Sequence, residues 1–390
     1  MPELETRLTR ESADIEALAA IVGWAFGNGT HSAHEWLGRA EPGSVRVAGR
    51  RAEIEGGLVE IGMAQWFGGR RVPTLGIAGV AIAAEARGQG LGLALMRATL
   101  RSARERGFAL STLYPSTYGL YRKAGYELAG SLCRFTLQLR QLPRSPRPLA
   151  VQVLTDARQP AVDALYRRVA QRRPGYLDRG VYVWNRVRNP EREPARGFGV
   201  EGPGGLVGYV YVRAAPSRTP LELLLSDFVA LSPAALRAVL AFLADHSTIA
   251  ERVGWNGGPA DARLLGLPDR VFKVGIEEYW MLRLIDVRAA LLGRGYPEVD
   301  VAVDLELDDE VLPENGGIYP LRVTRGVATL VADGAAPKAR LSVSALAALY
   351  SGFISPFELE LSGQLQADER ATAALAALFG GPAPAMVDYF

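Results

Sequence analysis

The stretch GVAIAAEARGQGLGLALMRATLRSARERG, residues 79–107, decides how this chain is read. Gly79–Ala83 is a short apolar run of the kind found in a buried strand. A brief loop leads from it into Arg87-Gly88-Gln89-Gly90-Leu91-Gly92. From Leu91 to Arg106 the apolar positions recur at helical spacing, and Gly107 suits the residue just past a helix end. Strand, glycine loop and helix in that order make an anion cradle. Glycines let backbone N–H groups come close to a phosphate, and the helix mouth adds partial positive charge. Arg87 can add a charge-assisted contact. Spacing excludes two common alternatives. A dinucleotide fingerprint needs a glycine where Leu93 stands, and a nucleoside-triphosphate loop needs a Gly-Lys-Ser/Thr triplet that the chain lacks. A flexible turn alone has no use for three alternating glycines, each costing about 1 kcal/mol inside a helix.

Outward from this core, the first segment reads helix, strands, helix, strand, helix, strand. Ser12–Phe26 has one apolar helical face. Ser44–Val47, Ala52–Met63 and Gly76–Ala83 read as strands, with Gly56-Gly57 as a hairpin turn. Ala109–Tyr114 is a short strand, and Tyr118–Lys123 is a short helix stopped by Gly125. SLCRFTLQL (131–139) is a further strand, and the proline-rich QLPRSPRPLA (141–150) is a linker. The second segment repeats the outline: helix Ala161–Val169, strands Gly197–Glu201 and Leu206–Arg213 around GPGG, strand Leu221–Leu231, helix Ser232–His246. Its strand-to-helix junction, ALSPAALRAV, has no glycine loop. A duplicated domain that kept its scaffold and lost its cofactor site would look this way. The third segment opens with MLRLIDVRAALLGRGYP. Strands Val299–Leu307, Gly317–Val323 and Val327–Val331 follow, then helices Ser344–Ser351 and Asp368–Phe379, a mixed α+β unit. The predicted boundaries are 1–142, 143–283 and 284–390, since 390 residues exceed what one core usually serves.

The second informative stretch, STLYPSTYGLYRKAGYELAG (111–130), contains Tyr121-Arg122-Lys123-Ala124-Gly125-Tyr126. A phenol with pKa about 10 stays protonated at neutral pH and can give its proton to a departing thiolate. Tyr121 is therefore the candidate general acid; Tyr114, Tyr118 and Tyr126 are expected to be packed aromatics. Cys133, the only cysteine, lies on a predicted strand and rules out an intrachain disulfide. Three histidines are too few for most zinc sites; His31 and His34 are expected on a surface or pocket, and no metal is expected. A net charge of +2 with mixed signs gives no case for nucleic acid or an anionic membrane. With no apolar leader and no spanning stretch, the expected place is the cytoplasm.

R-G-Q-G-L-G between a strand and a helix resembles the Gln/Arg-x-x-Gly-x-Gly/Ala signature of the GNAT acetyltransferases, and YRKAGY resembles their Y-x-x-x-G-[FY] element. The whole chain resembles the Eis (enhanced intracellular survival) family of bacterial acetyltransferases. The motifs that carry this are VAIAAEARGQGLG, YPSTYGLYRKAGYE, the duplication and its linker, and WMLRLIDVRAAL at the start of the third segment. The resemblance implies a fold class of mixed α/β and α+β. Tandem GNAT acyltransferase folds, the second degenerate, precede a sterol carrier protein-like α+β domain. It also implies an acetyl-CoA-dependent N-acetyltransferase acting on polyamine or aminoglycoside-like acceptors, or on lysine side chains, and a homo-oligomer built as a hexamer of two stacked trimers. Backbone groups of Val80 and Ile82 would pair with the pantetheine arm. Arg87, Gly88, Gly90 and Gly92 would hold the pyrophosphate, with Ser116 near the cofactor and Tyr121 as acid. The terminal carboxylate, here on Phe390, would lie in the active site, where the apolar ending AMVDYF suits a docked tail. Trp24, Phe26 and Trp36 would wall the acceptor pocket; Met63 is expected in the core. The family often carries consecutive arginines where this chain has Arg87-Gly88-Gln89. The rival reading is a binding protein whose third domain carries a lipid while the first senses acyl-CoA.

Overall fold

The computed structural model describes residues 4–50, 53–142, 147–215, 221–267, 272–332, 334 and 336–390. The middle of the predicted linker, 143–146, and Ala52 of a predicted strand lie outside them. The chain divides into two compact units. One comprises Met1–Ala129, Trp280–Gly381 and Phe390; the other comprises Gly130–Tyr279 and Pro382–Tyr389.

The first unit begins with β1 (Glu5–Leu8), α1 (Ser12–Phe26), α2 (Thr30–Leu37), β2 (Val45–Arg50), β3 (Glu53–Phe67) and β4 (Arg70–Ile82). After these come α3 (Leu91–Glu105), β5 (Leu110–Leu113) and α4 (Tyr118–Lys123). β1 to β4 form an antiparallel meander. β5 then pairs parallel to β4, as a strand–helix–strand crossover requires. α3 buries Leu91, Leu95, Met96, Thr99, Leu100 and Ala103, one stripe at helical spacing. All but Thr99 join Leu58, Leu75, Ile77, Leu113 and Tyr121 in the core.

One sequence expectation fails here. Gly56 and Gly57 make no hairpin turn: β3 runs unbroken from Glu53 to Phe67, and the turn to β4 falls at Gly68-Gly69. The two glycines are small because their neighbours leave no room. A β-carbon on Gly57 would stand 2.6 Å from the Arg46 carbonyl oxygen and 2.8 Å from Leu18. One on Gly56 would stand 2.7 Å from the Ala81 oxygen. Close packing, not turning, selects glycine there.

The second unit holds nearly all of β6 (Glu127–Gln138), then β7 (Ala150–Val153), α5 (Gln159–Ala170), β8 (Leu177–Asp178), α6 (Val181–Arg188), β9 (Arg196–Gly202) and β10 (Gly205–Ala215). β11 (Glu222–Ala230), α7 (Pro233–Ala244) and β12 (Arg252–Gly257) follow. Its sheet runs in the order β6-β12-β11-β10-β9-β7. β11 and β12 are parallel and flank α7, just as β4 and β5 flank α3. A core of Phe135, Val210, Leu223, Leu225, Val239 and Leu243 lies within it.

The chain returns to the first unit at the 280–284 end of β13 (Phe272–Leu284), where Met281–Leu284 pair antiparallel with β5. After α8 (Val287–Gly293) come β14 (Val301–Asp308), β15 (Gly317–Thr324), β16 (Val327–Leu330), β17 (Lys338–Ser342), α9 (Val343–Ser351), α10 (Pro356–Leu361), β18 (Leu365–Ala367) and α11 (Glu369–Phe379). The strands form a separate sheet ordered β16-β15-β14-β17-β18. Arg283, fully buried on β13, is neutralised by Asp309 through contacts of 2.6 and 2.7 Å.

Candidate active site

β4 and β5 pair only at Thr74–Gly76 with Leu110–Thr112, and beyond that register they part. Among the described residues, the edge of β4 from Ile77 to Ile82 therefore has no partner strand on that side. Ala83 N–H donates to the Glu55 oxygen on β3. Alternation along the strand then turns the backbone groups of Ile82, and of Val80 before it, away from β3 and into the gap. Gly79 sits between with φ +60°, and the Trp36 indole packs directly on it; a β-carbon there would lie 2.2 Å from Trp36 Cη2. Of the three predicted pocket walls, Trp36 thus reaches the fork. Trp24 (78% exposed) and Phe26 (49% exposed) present their rings to the outside of α1.

The loop at the open end of β4 has the properties of an anion cradle. Gly88 and Gly90 take φ of +75° and +80°, which only glycine adopts at no cost, and nothing lies within 4 Å of where their side chains would be. Gly90 caps α3, whose first internal bond runs from Ala94 N–H to the Gly90 oxygen. Among the described residues no protein acceptor faces the N–H groups of 88–93. Gly92 is different: its backbone is helical, and a β-carbon would meet Leu120 and Ile82 at an ordinary 3.6–3.7 Å. Arg87 Nε donates to the Ile82 oxygen at 3.2 Å, so its guanidinium lies across the mouth of the fork. Gln89 is fixed by its own amide to the Glu85 oxygen (3.0 Å) and by Arg50 Nη1 to its oxygen (2.9 Å). Arg50, which is also paired with Glu55 at 3.4 Å, is thus a second guanidinium beside the loop. It stands nearly forty positions upstream of Gln89, where no local motif points to it.

At the apex of the fork stands Phe390. A β-carbon on Gly76 would meet Met63 Cε at 2.4 Å and the Phe390 ring at 3.0 Å, and the Tyr114 ring lies 6.1 Å from that of Phe390. Met63 is buried, as expected of a core residue, but its methyl group also covers the apex. Tyr114, expected as packing only, is the first residue past β5 and faces the same ring. Glu60, buried on β3, is committed to Arg46 (2.5 Å) and Arg106.

α4 brings Tyr121 against α3 with 4% of its surface exposed. Burial pushes its phenol above the ordinary value of 10, while a hydrogen bond with Ser116 pulls the other way. Ser116, expected near the cofactor, and Tyr121 therefore meet, a contact that the sequence did not foretell. Tyr126 is wholly buried, with its hydroxyl 2.7 Å from Ser111 Oγ. Tyr118 is 40% exposed under the Arg122 guanidinium. Cys133 is buried and its thiol is pushed up by that burial, opposite to what a nucleophile needs. His31 is exposed and faces Glu35 one helical turn on, at 3.4 Å.

With this fold and geometry, the chain can be set beside known proteins. Family models for an acetyltransferase (GNAT) domain match residues 6–129 and, separately, 175–284. A sterol carrier protein domain model matches 287–387. An uncharacterized N-acetyltransferase of Streptomyces avermitilis is 30% identical over 317 residues, 77% of each chain. A GCN5-related N-acetyltransferase from Anabaena variabilis superposes over the full length of both chains with TM-score 0.94 and 32% identity. Eis1 from Mycobacterium abscessus does so with TM-score 0.81 and 26% identity. The chain belongs to the Eis-like GCN5-related N-acetyltransferases. It is an acetyltransferase with two GNAT domains and a sterol carrier protein-like domain after them. Among the described residues of this Eis-like enzyme, no helix is long and apolar enough to cross a membrane.

Proposed function

We propose that this Eis-like enzyme transfers the acetyl group of acetyl-CoA to an amine of a polyamine or aminoglycoside-like acceptor by direct attack, with both substrates bound together. The observation that carries it is the fork between β4 and β5: unpaired strand edge along one arm, six orphan amides at its end, and a buried phenol beside it. Acetyl-CoA supplies the activated acyl group. The amides of 88–93 are suited to its diphosphate, with Arg87 and Arg50 adding positive charge, and the backbone of Val80 and Ile82 to its pantetheine amides. The Ile82 oxygen now accepts from Arg87, so Arg87 exchanges this bond for a phosphate when the substrate enters. Tyr121 donates its proton to the leaving thiolate, and Ser116 orients the hydroxyl. The Phe390 carboxylate, with pKa about 3.5 before burial, is a weak base toward an amine. Its part is to hold the cationic acceptor and pass its proton to water as the amine attacks. Trp36 forms one wall for that acceptor. The same reading takes the protein to be cytoplasmic and its assembly to be a hexamer of two stacked trimers.

Thiol release from acetyl-CoA across a panel of polyamines and aminoglycosides tests the reading. Release is expected with at least one polycationic amine, and deletion of Phe390 should abolish most turnover while leaving acetyl-CoA affinity within about threefold. No release across the panel, together with tight lipid binding, would favour the carrier protein instead; unchanged turnover on deletion would remove Phe390 from the mechanism.

Gly92 gives a second, sharper test. Because an added methyl group meets no protein atom closer than 3.6 Å and alanine suits a helical backbone better than glycine, Gly92→Ala should fold with a melting temperature no lower than the wild type's. It should nonetheless raise the acetyl-CoA KM about tenfold, the loss of one charge-assisted amide contact. An unaltered KM would mean that the diphosphate does not approach this turn of α3.

A further inference from the structure

The second unit has a fork of its own. β11 and β12 pair at Glu222–Leu225 with Arg252–Trp255 and then part, while β11 continues to Ala230. In the space between lies a cavity of about 580 Å³, closed on one side by Tyr166 and Val169 of α5 and on another by the start of α7. That volume is in the range of small-molecule sites, about 300–1,000 Å³. It cannot hold a diphosphate as the first fork is built to. Pro233 at the mouth of α7 has no N–H, and the Ala235 N–H is already taken by Ser232 Oγ at 3.1 Å.

The cavity wall nevertheless carries cations. Arg173, Arg237 and Arg263 all line it. Arg263 is paired with Asp261 at 2.8 Å and also reaches the Phe228 oxygen. Neither Arg173 nor Arg237 has a carboxylate partner among the described residues. The single carboxylate on the wall, Asp227, is neutralised by Arg179 and by the Tyr209 hydroxyl at 2.7 Å. The remaining wall is apolar: Leu225, Phe228, Leu231, Leu236, Trp255 and, at the rim, Leu265, which is 89% exposed. Arg173, whose guanidinium lies over the Tyr176 ring at 5.8 Å, and Arg237 are cations without a carboxylate partner among the described residues, and with the apolar wall they suit a single small anion on a hydrophobic body. With Pro233 and Ser232 closing the helix mouth, these side chains are the donors left for the anion.

We propose that this cavity binds an amphipathic carboxylate of the fatty-acid type. Arg173 and Arg237 take the carboxylate, and the chain lies against Phe228, Leu236 and Trp255. The proposal stands on the second fork alone and does not depend on how the first fork works.

Calorimetric titration of the full chain with dodecanoate and with dodecanol tests it. Dodecanoate should bind at least about tenfold more tightly than the alcohol, the value of one charge-assisted contact. Arg173→Ala and Arg237→Glu should each weaken dodecanoate binding by a similar factor, with dodecanol affinity and acetyl-CoA-dependent thiol release unchanged. Three results would overturn the proposal: no binding of dodecanoate, equal affinity for acid and alcohol, or dodecanoate affinity indifferent to both substitutions, which would put the ligand elsewhere in the chain. Arg237 is exposed, so its replacement leaves the fold intact and the comparison readable.

Discussion

Replacing Tyr121 by phenylalanine should lower kcat by about 10²–10⁴-fold, the usual worth of a positioned general acid, while the KM for acetyl-CoA stays within about threefold. The ring is buried in the core between α3 and α4, so the variant keeps its packing and loses only the hydroxyl. The pH profile separates this role from a structural one. Burial holds the phenol above 10, so it remains a proton donor throughout the range in which the acceptor amine loses its own proton. Wild-type kcat should therefore rise with pH and turn down only above 10; the variant should lose the downturn. Ser116→Ala removes the hydrogen bond that lowers the Tyr121 value and should move the downturn higher still. The same sign governs stability: the neutral phenol is the form the fold favours. Its contribution is fully present below the unfolded value of 10 and fades as pH rises through the folded one. A Tyr121→Phe enzyme with kcat within threefold of wild type would end the general-acid assignment.

Arg179→Met should destabilise the second unit by about 3–5 kcal/mol, because it strands two buried carboxylates. Arg179 donates to Asp388 through Nε (3.0 and 3.1 Å) and Nη2 (2.7 Å), and to Asp227 through Nη1. Its guanidinium lies 3.7 Å from the centre of the Tyr166 ring and 4.7 Å from that of Trp184. Tyr166 also donates to the Leu177 oxygen and to Asp388. Thermal and denaturant unfolding measure the loss. Adding Asp227→Asn and Asp388→Asn to the same chain should restore part of it, since replacing a whole buried ion cluster costs far less than breaking it. A single-variant loss under 1 kcal/mol would show that the cluster is not buried as described. Turnover should fall too, by more than stability accounts for. Asp388 is two residues from Phe390, so slack at one is passed along the chain to the other.

What could be read in advance follows a physical division. α3 and its glycine loop, α4, the β9–β10 hairpin and α7 with its Ser232 cap are local structures, set by periodicity and by residues within a few positions of one another. Gly56 and Gly57 misled because glycine also serves close packing, and the neighbours that demand it, Arg46, Leu18 and Ala81, are distant or on other strands. Arg50 beside Gln89, Tyr114 against Phe390, and Arg179 bound to Asp388 across 209 positions left no local mark. They exist only once strands and tail have been placed. Trp24 and Phe26, expected as walls of the acceptor pocket, are exposed on α1.

The closure of the α7 mouth bears on whether the second fork could ever be turned back into a catalyst. Introducing glycines one at a time would not do it. Pro233 deletes an amide outright, Ser232 occupies another, and the junction between β11 and α7 is too short to host a left-handed loop. An engineer would have to graft several residues of new backbone. A substitution at one position alone leaves this helix mouth closed.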